Sequence, residues 1–512
     1  MKSFEKVDKV LNNKFTLISL LVFSFVMWAL SLVKILVPII GVYCFVVCAF
    51  SKDPKSVFAV IFSIPFFLEN LSDSSCYVFY GIGIALAVLG LIVFVLKAVF
   101  YDKIHVTKGK LFWGFVALAI ASMLGGIVGF FNILAIVIAL AICALLYFLY
   151  FVMLNFCHDL KDFSRKYFII FGFSLFVQLI YLHILSGDFI HSVLNKGITY
   201  VGAQNANAPA VYFLLAMFSF FWIAYEKKEK DYLYCLGAYF YVFATFFVYS
   251  RISTLQCAIF AIICFVMIFC KSQNKKALGI TIGVIVLCVL IFAIIFWDGF
   301  YSAISRYLSL GFKGNGRDEL WPWCFDKFFS HPVFGVGFVD YAGSVPTVAS
   351  SHVIMAHNTF LQFLTSTGFV GLLLAGYFYF NKYRIICNNF ADYNTYIFLV
   401  SVALSCVGIF DQCMTMDPFI FTISIMYVVM AEIHNRQISL ASTTIQEERN
   451  KNDKKSSGAI DNQAGKKTNA EIKNANSSLD TPKEEKRISS KQKSSSVVVT
   501  KKSSKSRKSQ KA

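Results

Sequence analysis

Charge is what this chain has least of. Asp, Glu, Lys and Arg make up only 15% of its 512 residues, while 57% are hydrophobic and 17% aromatic. That scarcity excludes a soluble globular domain, which has too little interior to hide so large an apolar fraction. Cysteine spacing excludes more. The 14 cysteines contain no Cys-x-x-Cys pair, so zinc and redox signatures are missing. Cys143, Cys264 and Cys288 lie inside apolar runs, where a thiol behaves as a small hydrophobe. Cys76, Cys324 and Cys413 are expected to face outwards, and a disulfide between two of them stays open. No Asp-x-Asp pair occurs in the segments assigned below to the outer face. Neither a metal nor any other cofactor is expected.

What the chain does have is long apolar runs. "FTLISLLVFSFVMWALSL" (15–32), "YVFYGIGIALAVLGLIVFVL" (77–96) and "LGITIGVIVLCVLIFAIIFW" (278–297) each suffice to cross a bilayer as helix. The pattern predicts an all-α, polytopic helical membrane protein with about 12–14 transmembrane helices over residues 1–433. The short runs at 35–50 and 56–71 fit two spans or one re-entrant unit. The run at 15–32 lacks a small-residue cleavage site and is expected to remain as a span.

The formal charge of +18 invites nucleic acid as a partner, but its placement argues against that. With the amino end inside, the inward segments carry Lys2, Lys6, Lys9, Lys14, Lys52, Lys55, "KDFSRK" (161–166), "EKKEK" (226–230), "KSQNKK" (271–276) and "KYR" (382–384). Outward segments hold little beyond Lys34, Lys196, Arg251 and one long loop. Such alternation is the positive-inside pattern of a cytoplasmic membrane, and both termini are expected to be cytoplasmic. Residues 434–512, with "SSKQKSSS" and "KKSSKSRKSQKA", are too polar to bury a core. They read as a disordered Lys/Ser-rich cytoplasmic tail, or as one that touches anionic membrane lipid.

Two outward connections are long, 187–209 and 298–358. Loops of that length in compact proteins are usually functional or disordered. In the second, Leu320, Trp321, Cys324, Phe325, Phe328 and Phe329 recur at helical spacing opposite Asp318, Glu319, Asp326 and Lys327. That predicts an amphipathic helix at the membrane surface, with Pro322 in its first turn. Three charged or ionisable residues flank this surface. Arg251 sits where a span meets the outer face, Arg317 precedes the amphipathic helix, and His357 opens the next span in "HNTFLQFLTSTGFVG" (357–371). Singly, each has a structural reading: a snorkelling anchor, a solvated loop arginine, a buried core histidine. Together they suggest a site.

The motifs "SR" (250–251), "GRDELW" (316–321), "HPVFGVG" (331–337) and "HN" (357–358) with Leu361, Gly368 and Gly371, preceded by "NANAPAVYFLL" (205–215), resemble the O-antigen ligase and O-antigen polymerase superfamily. The resemblance implies a GT-C-like membrane glycosyltransferase with a large periplasmic loop. Its donor would be glycan on undecaprenyl pyrophosphate, transferred at the periplasmic face of the bacterial inner membrane to an acceptor hydroxyl. On that expectation His357 is the general base, with Asn358 capping the helix beside it. The positive end of a helix dipole disfavours imidazolium there. Arg251 and Arg317 would bind the pyrophosphate, since guanidinium pairs bidentately with phosphate. Glu319, Asp318 and Asp340 are candidate orienting groups, and Gly368 and Gly371 candidates for close helix packing. The acceptor separates a ligase, which uses lipid A-core, from a polymerase, which uses another carrier-linked repeat. A polysaccharide flippase is the reading from another class. It predicts charge near mid-membrane and internal repeats, and neither is evident.

Overall fold

Apolar periodicity becomes helix along most of the chain. The structure, a computed structural model, describes residues 10–11, 13–68, 76–128, 133–194, 200–205, 207–248, 250–295, 297, 301, 305, 317–337, 356–390, 392–410 and 418–475. The chain divides into two units, Met1–Ser439 and Leu440–Ala512. In the first unit the helices run α1 (Lys14–Ala29), α2 (Val33–Phe50), α3 (Lys55–Ser63), α4 (Cys76–Leu96), α5 (Phe112–Val128), α6 (Ile133–Phe156) and α7 (Leu160–Leu185). Next come α8 (Phe189–Leu194), the two-residue strands β1 (Tyr200–Val201) and β2 (Gln204–Asn205), α9 (Asn207–Glu226), α10 (Asp231–Ala244), α11 (Arg251–Lys271) and α12 (Lys275–Ile295). The series ends with α13 (Arg317–Ser330), α14 (Thr359–Cys387), α15 (Asp392–Phe410) and the start of α16 (Pro418–Ala475), whose residues from Leu440 belong to the second unit.

Eight of the described helices are long and apolar enough to cross a membrane, and four shorter apolar ones accompany them. This is the all-α polytopic membrane fold expected from the sequence. Helix α9 forms its centre. Apolar side chains surround it, so it can be packed on every side, and 83% of its apolar window is buried against 12% for α12. It packs against α7, α10, α11 and α15, while α5 packs against α6 and α14. Ionic contacts gather at the ends that the charge pattern assigns inward. Lys161 and Arg165 of α7 both pair with Glu226 at the end of α9. Buried Glu432 accepts from Tyr150 Oη at 2.6 Å, from the Lys110 backbone N–H at 3.0 Å and from Arg436 at 2.6 Å.

Three expectations change. The run at 56–71 is not a span: α3 has nine residues and a 3-10 turn, Ile64–Phe66, ends it. At about 1.5 Å per residue that is roughly half a bilayer core. "KYR" (382–384) is not a loop but part of α14, where Lys382 is buried and donates to Ser424 Oγ at 2.8 Å. An acceptor on the neighbouring helix makes the buried ammonium tolerable. Finally, α16 is helical through Ala475, into the stretch read as a polar tail; residues 476–512 lie outside the described residues.

Candidate functional site

The two regions predicted to matter each begin at a helix N-terminus. Arg251 is the first residue of α11, behind the N-cap Ser250, whose Oγ accepts from the Ser253 N–H at 3.3 Å. The 3-10 turn just ahead, Thr245–Phe247, is pinned from α7. His183 Nε2 lies 3.1 Å from the Phe247 carbonyl, which can only accept. The proton is therefore on Nε2, leaving Nδ1 to accept from Ser192 Oγ at 2.9 Å. One turn into α11, buried Gln256 has no partner for either amide atom among the described residues. A polar group buried in this way is costly unless something else binds it.

Arg317 is the first residue of α13, and Asp318 and Glu319 follow it in the same turn. Pro322 falls in the second turn rather than the first. The amphipathic helix is present, but its apolar face does not simply lie on a membrane. Leu320 and Cys324 are buried with Ala356, Leu361 and Leu364, and Trp321 and Phe328 close over them. Phe325 and Phe329 stay exposed. Cys324 is thus buried against α14 rather than facing outwards.

His357 is not inside the first turn of α14. It stands one residue before the N-cap, in the left-handed region at φ +49. Holding a non-glycine residue there costs about 1–3 kcal/mol and needs firm surroundings. Those surroundings are specific. On one side, Ala356 has both backbone groups tied by side chains: its N–H donates to Gln362 Oε1 at 2.9 Å and its C=O accepts from Trp321 Nε1 at 3.0 Å. On the other, Asn358 Oδ1 accepts from the Leu361 N–H at 2.9 Å, so it is the cap its position suggested. Trp321 lies one helical turn after Arg317, about 6 Å along the axis, so the head of α13 and the His357 turn are brought together. Helix α11 packs against α15, as does α14.

A second interlock lies deeper. Gly368 breaks α14 at φ +66, ψ −166. A continuous helix would bond Phe369 N to Thr365 O and Val370 N to Ser366 O. Instead, Val336 N and Gly337 N donate to Thr365 O and Ser366 O at 3.0 and 2.8 Å, while Phe369 N and Val370 N donate to Pro332 O and Val333 O at 2.8 and 3.2 Å. The segment "HPVFGVG" therefore takes the backbone groups that the break would orphan, as an apolar medium requires. Both glycines are needed for contact. A Cβ on Gly335 would lie 2.4 Å from Ser366 C, and one on Gly368 would lie 2.5 Å from Val333 O. The close approach at Gly368 is to this loop rather than to a neighbouring helix.

The model of the O-antigen ligase family matches residues 236–376. The match bears out the superfamily resemblance drawn from the motifs, and its region contains Arg251, α11, α12, α13, His357 and the Gly368 break. It implies a glycosyltransferase-like membrane enzyme of the O-antigen ligase or polymerase kind, acting on lipid-linked glycans. No match was found among curated proteins.

Sequence reasoning missed Gln362, Trp321 as a hydrogen-bond donor, His183 and Gln256. A signal for Gln362 was present: an amide inside a greasy run has to be paid for by a partner, and none is adjacent in the chain. Among the described residues no three His, Cys, Asp or Glu side chains cluster as metal ligands. Asp340 lies outside the described residues.

Proposed function

We propose that the protein is an O-antigen ligase-like transferase. It moves glycan from undecaprenyl pyrophosphate to a hydroxyl of lipid A-core at the periplasmic face of a bacterial inner membrane, with both termini and the tail from 434 in the cytoplasm. His357 takes the proton from the acceptor hydroxyl as its oxygen bonds to the anomeric carbon. The bond from that carbon to the pyrophosphate oxygen breaks, and the lipid pyrophosphate departs. Arg251 and Arg317 meet the charge that grows on the leaving group, so the cationic clamp comes from the protein itself. Asn358 caps the helix beside the base, and Glu319 is the candidate to orient Arg317.

One observation supports this reading above the others. The His357 turn is fixed in a costly left-handed conformation by Trp321 of the helix that Arg317 begins. Backbone strain enforced by several independent bonds is typical of a functional position. Helix order supports it too. Helix α11 leads away from Arg251 and α12 returns, so the loop that carries α13 and ends at His357 begins on the face where Arg251 stands.

The test is a deletion strain examined by lipopolysaccharide gel. A ligase predicts loss of all long-chain bands while carrier-linked polymer accumulates. A core bearing one repeat would instead identify a polymerase, and normal banding would exclude both. His357→Ala and Arg317→Ala should insert normally yet lose transfer by on the order of 100-fold or more. Near-normal transfer by either removes that residue from its role.

A further inference from the structure

A cavity of about 480 Å³ lies far along the chain from α11, α13 and α14, where α1, α3 and α7 meet. Its size is that of a ligand site. Its rim carries Lys14, Lys55 and Lys166 with Asp159 and Asp162. Three lysines against two aspartates leave one net positive charge. The internal pairings show where that charge is available. Lys55 is held by buried Asp53 at 2.8 Å, and Asp162 is held by Arg165. Lys14 and Lys166 are exposed, and no ion pair engages either among the described residues. Behind the rim, Leu17, Leu20, Ala59 and Phe163 form an apolar wall.

We propose that this cavity seats the monoanionic phosphodiester headgroup of a membrane phospholipid. Lys14 and Lys166 contact the phosphate, and the apolar wall takes the glycerol and the first carbons of an acyl chain. Helix ends favour the same occupant. Lys14 and Lys55 are the first residues of α1 and α3, and the first turn of α7, which has no side-chain cap, lines the cavity through Asp162 and Phe163, where a helix N-terminus favours an anion. Free phosphate would satisfy the lysines but leave the apolar wall wet. A neutral headgroup would leave the net charge uncompensated. These lysines belong to the segments that the positive-inside pattern assigns to the cytoplasm, the side where anionic lipid concentrates. The proposal is independent of the transfer reaction and stands or falls without it.

Native mass spectrometry of the full-length protein in detergent tests it, with titration by dioleoylphosphatidylglycerol, by dioleoylphosphatidylcholine and by inorganic phosphate. The unaltered chain should retain phosphatidylglycerol in preference to phosphatidylcholine. The double variant Lys14→Gln/Lys166→Gln should need roughly 30-fold more phosphatidylglycerol for equal occupancy, from the contribution of two membrane-facing lysines. Both side chains are exposed, so the variant should fold. Equal retention by the variant, equal retention of the two lipids, or displacement of phosphatidylglycerol by inorganic phosphate at matching concentration would each overturn the assignment.

Discussion

Among the described residues, helix backbone is interrupted at the end of α3 and at Gly368, and the two places are repaired differently. Where α3 stops, its last carbonyls are met one at a time: Phe62 O by Tyr212 Oη at 2.6 Å, Pro65 O by Ala203 N at 3.0 Å, and Phe66 O by Gln178 Nε2 at 2.8 Å. Two of those three donors are side chains. At Gly368 the repair is a reciprocal exchange of four backbone bonds with the 332–337 segment. Side-chain caps act separately, so each can be lost at its own cost. A backbone exchange fixes the relative position of two segments and fails as a unit. The second kind of repair stands between the helix begun by Arg317 and the helix capped behind His357, which is where a reaction would need preorganisation.

Valine at Gly335 or Gly368 should break that contrast most severely. Each substitution puts a Cβ within 2.6 Å of backbone atoms and forces a positive φ, +70 or +66, on a β-branched residue. The expected loss is on the order of 4 kcal/mol or more, read as loss of monodisperse protein and a collapsed melting temperature in detergent. An unchanged melting temperature would mean the exchange is not structural. Gly202→Ala is the matching change at α3. Its Cβ would lie 2.3 Å from Phe66 O at φ +64, but only a two-residue-stranded hairpin must give way. About 2–3 kcal/mol is expected, with folded protein still recoverable. A loss as large as at Gly368 would erase the distinction.

Paired glutamines sharpen the comparison further. Gln178→Leu and Gln362→Leu each remove one buried bond to backbone and should each cost about 1–3 kcal/mol of stability. Only Gln362→Leu should slow transfer, by roughly tenfold in kcat with KM little changed, because it frees the Ala356 N–H beside His357. Gln362→Glu keeps the accepting oxygen and should recover most of the rate. Equal activity of the two leucine variants would show that the His357 turn needs no support from inside α14.

Much of this arrangement was written in local sequence, and some was not. The apolar runs, the α13 spacing and the Asn358 cap are short-range features, and the structure keeps all three. The family motifs also marked one of the two repairs, "HPVFGVG" and Gly368. Their meaning was hidden because each bond joins residues far apart. Nothing near Gly368 says that Val333 lies against it, and nothing near Pro65 says that Ala203 does. The end of α3, left open between a span and a re-entrant unit, was hidden for the same reason. Its apolar run continues to Phe67, but the chain stops being helical where distant donors, Gln178 and Ala203, can take its carbonyls. Hydropathy reports which stretches leave water, and it is silent about which backbone groups find partners.

The smallest effect concerns the cap itself. Asn358→Ala removes the acceptor for the Leu361 N–H and should lower stability by about 1 kcal/mol, whereas Asn358→Asp or Asn358→Ser should restore most of it. The interest lies in whether transfer follows stability. The left-handed turn at His357 is gripped from one side by Gln362 and Trp321 through Ala356, and from the other by this cap. If the first grip suffices, Asn358→Ala will lose its degree or two of melting temperature and keep its rate. If both are needed, the rate will fall further than the stability change accounts for, and Asn358→Asp will recover it. The two outcomes separate a helix cap from a group that positions the base, and they do so with a change too small to unfold the bundle.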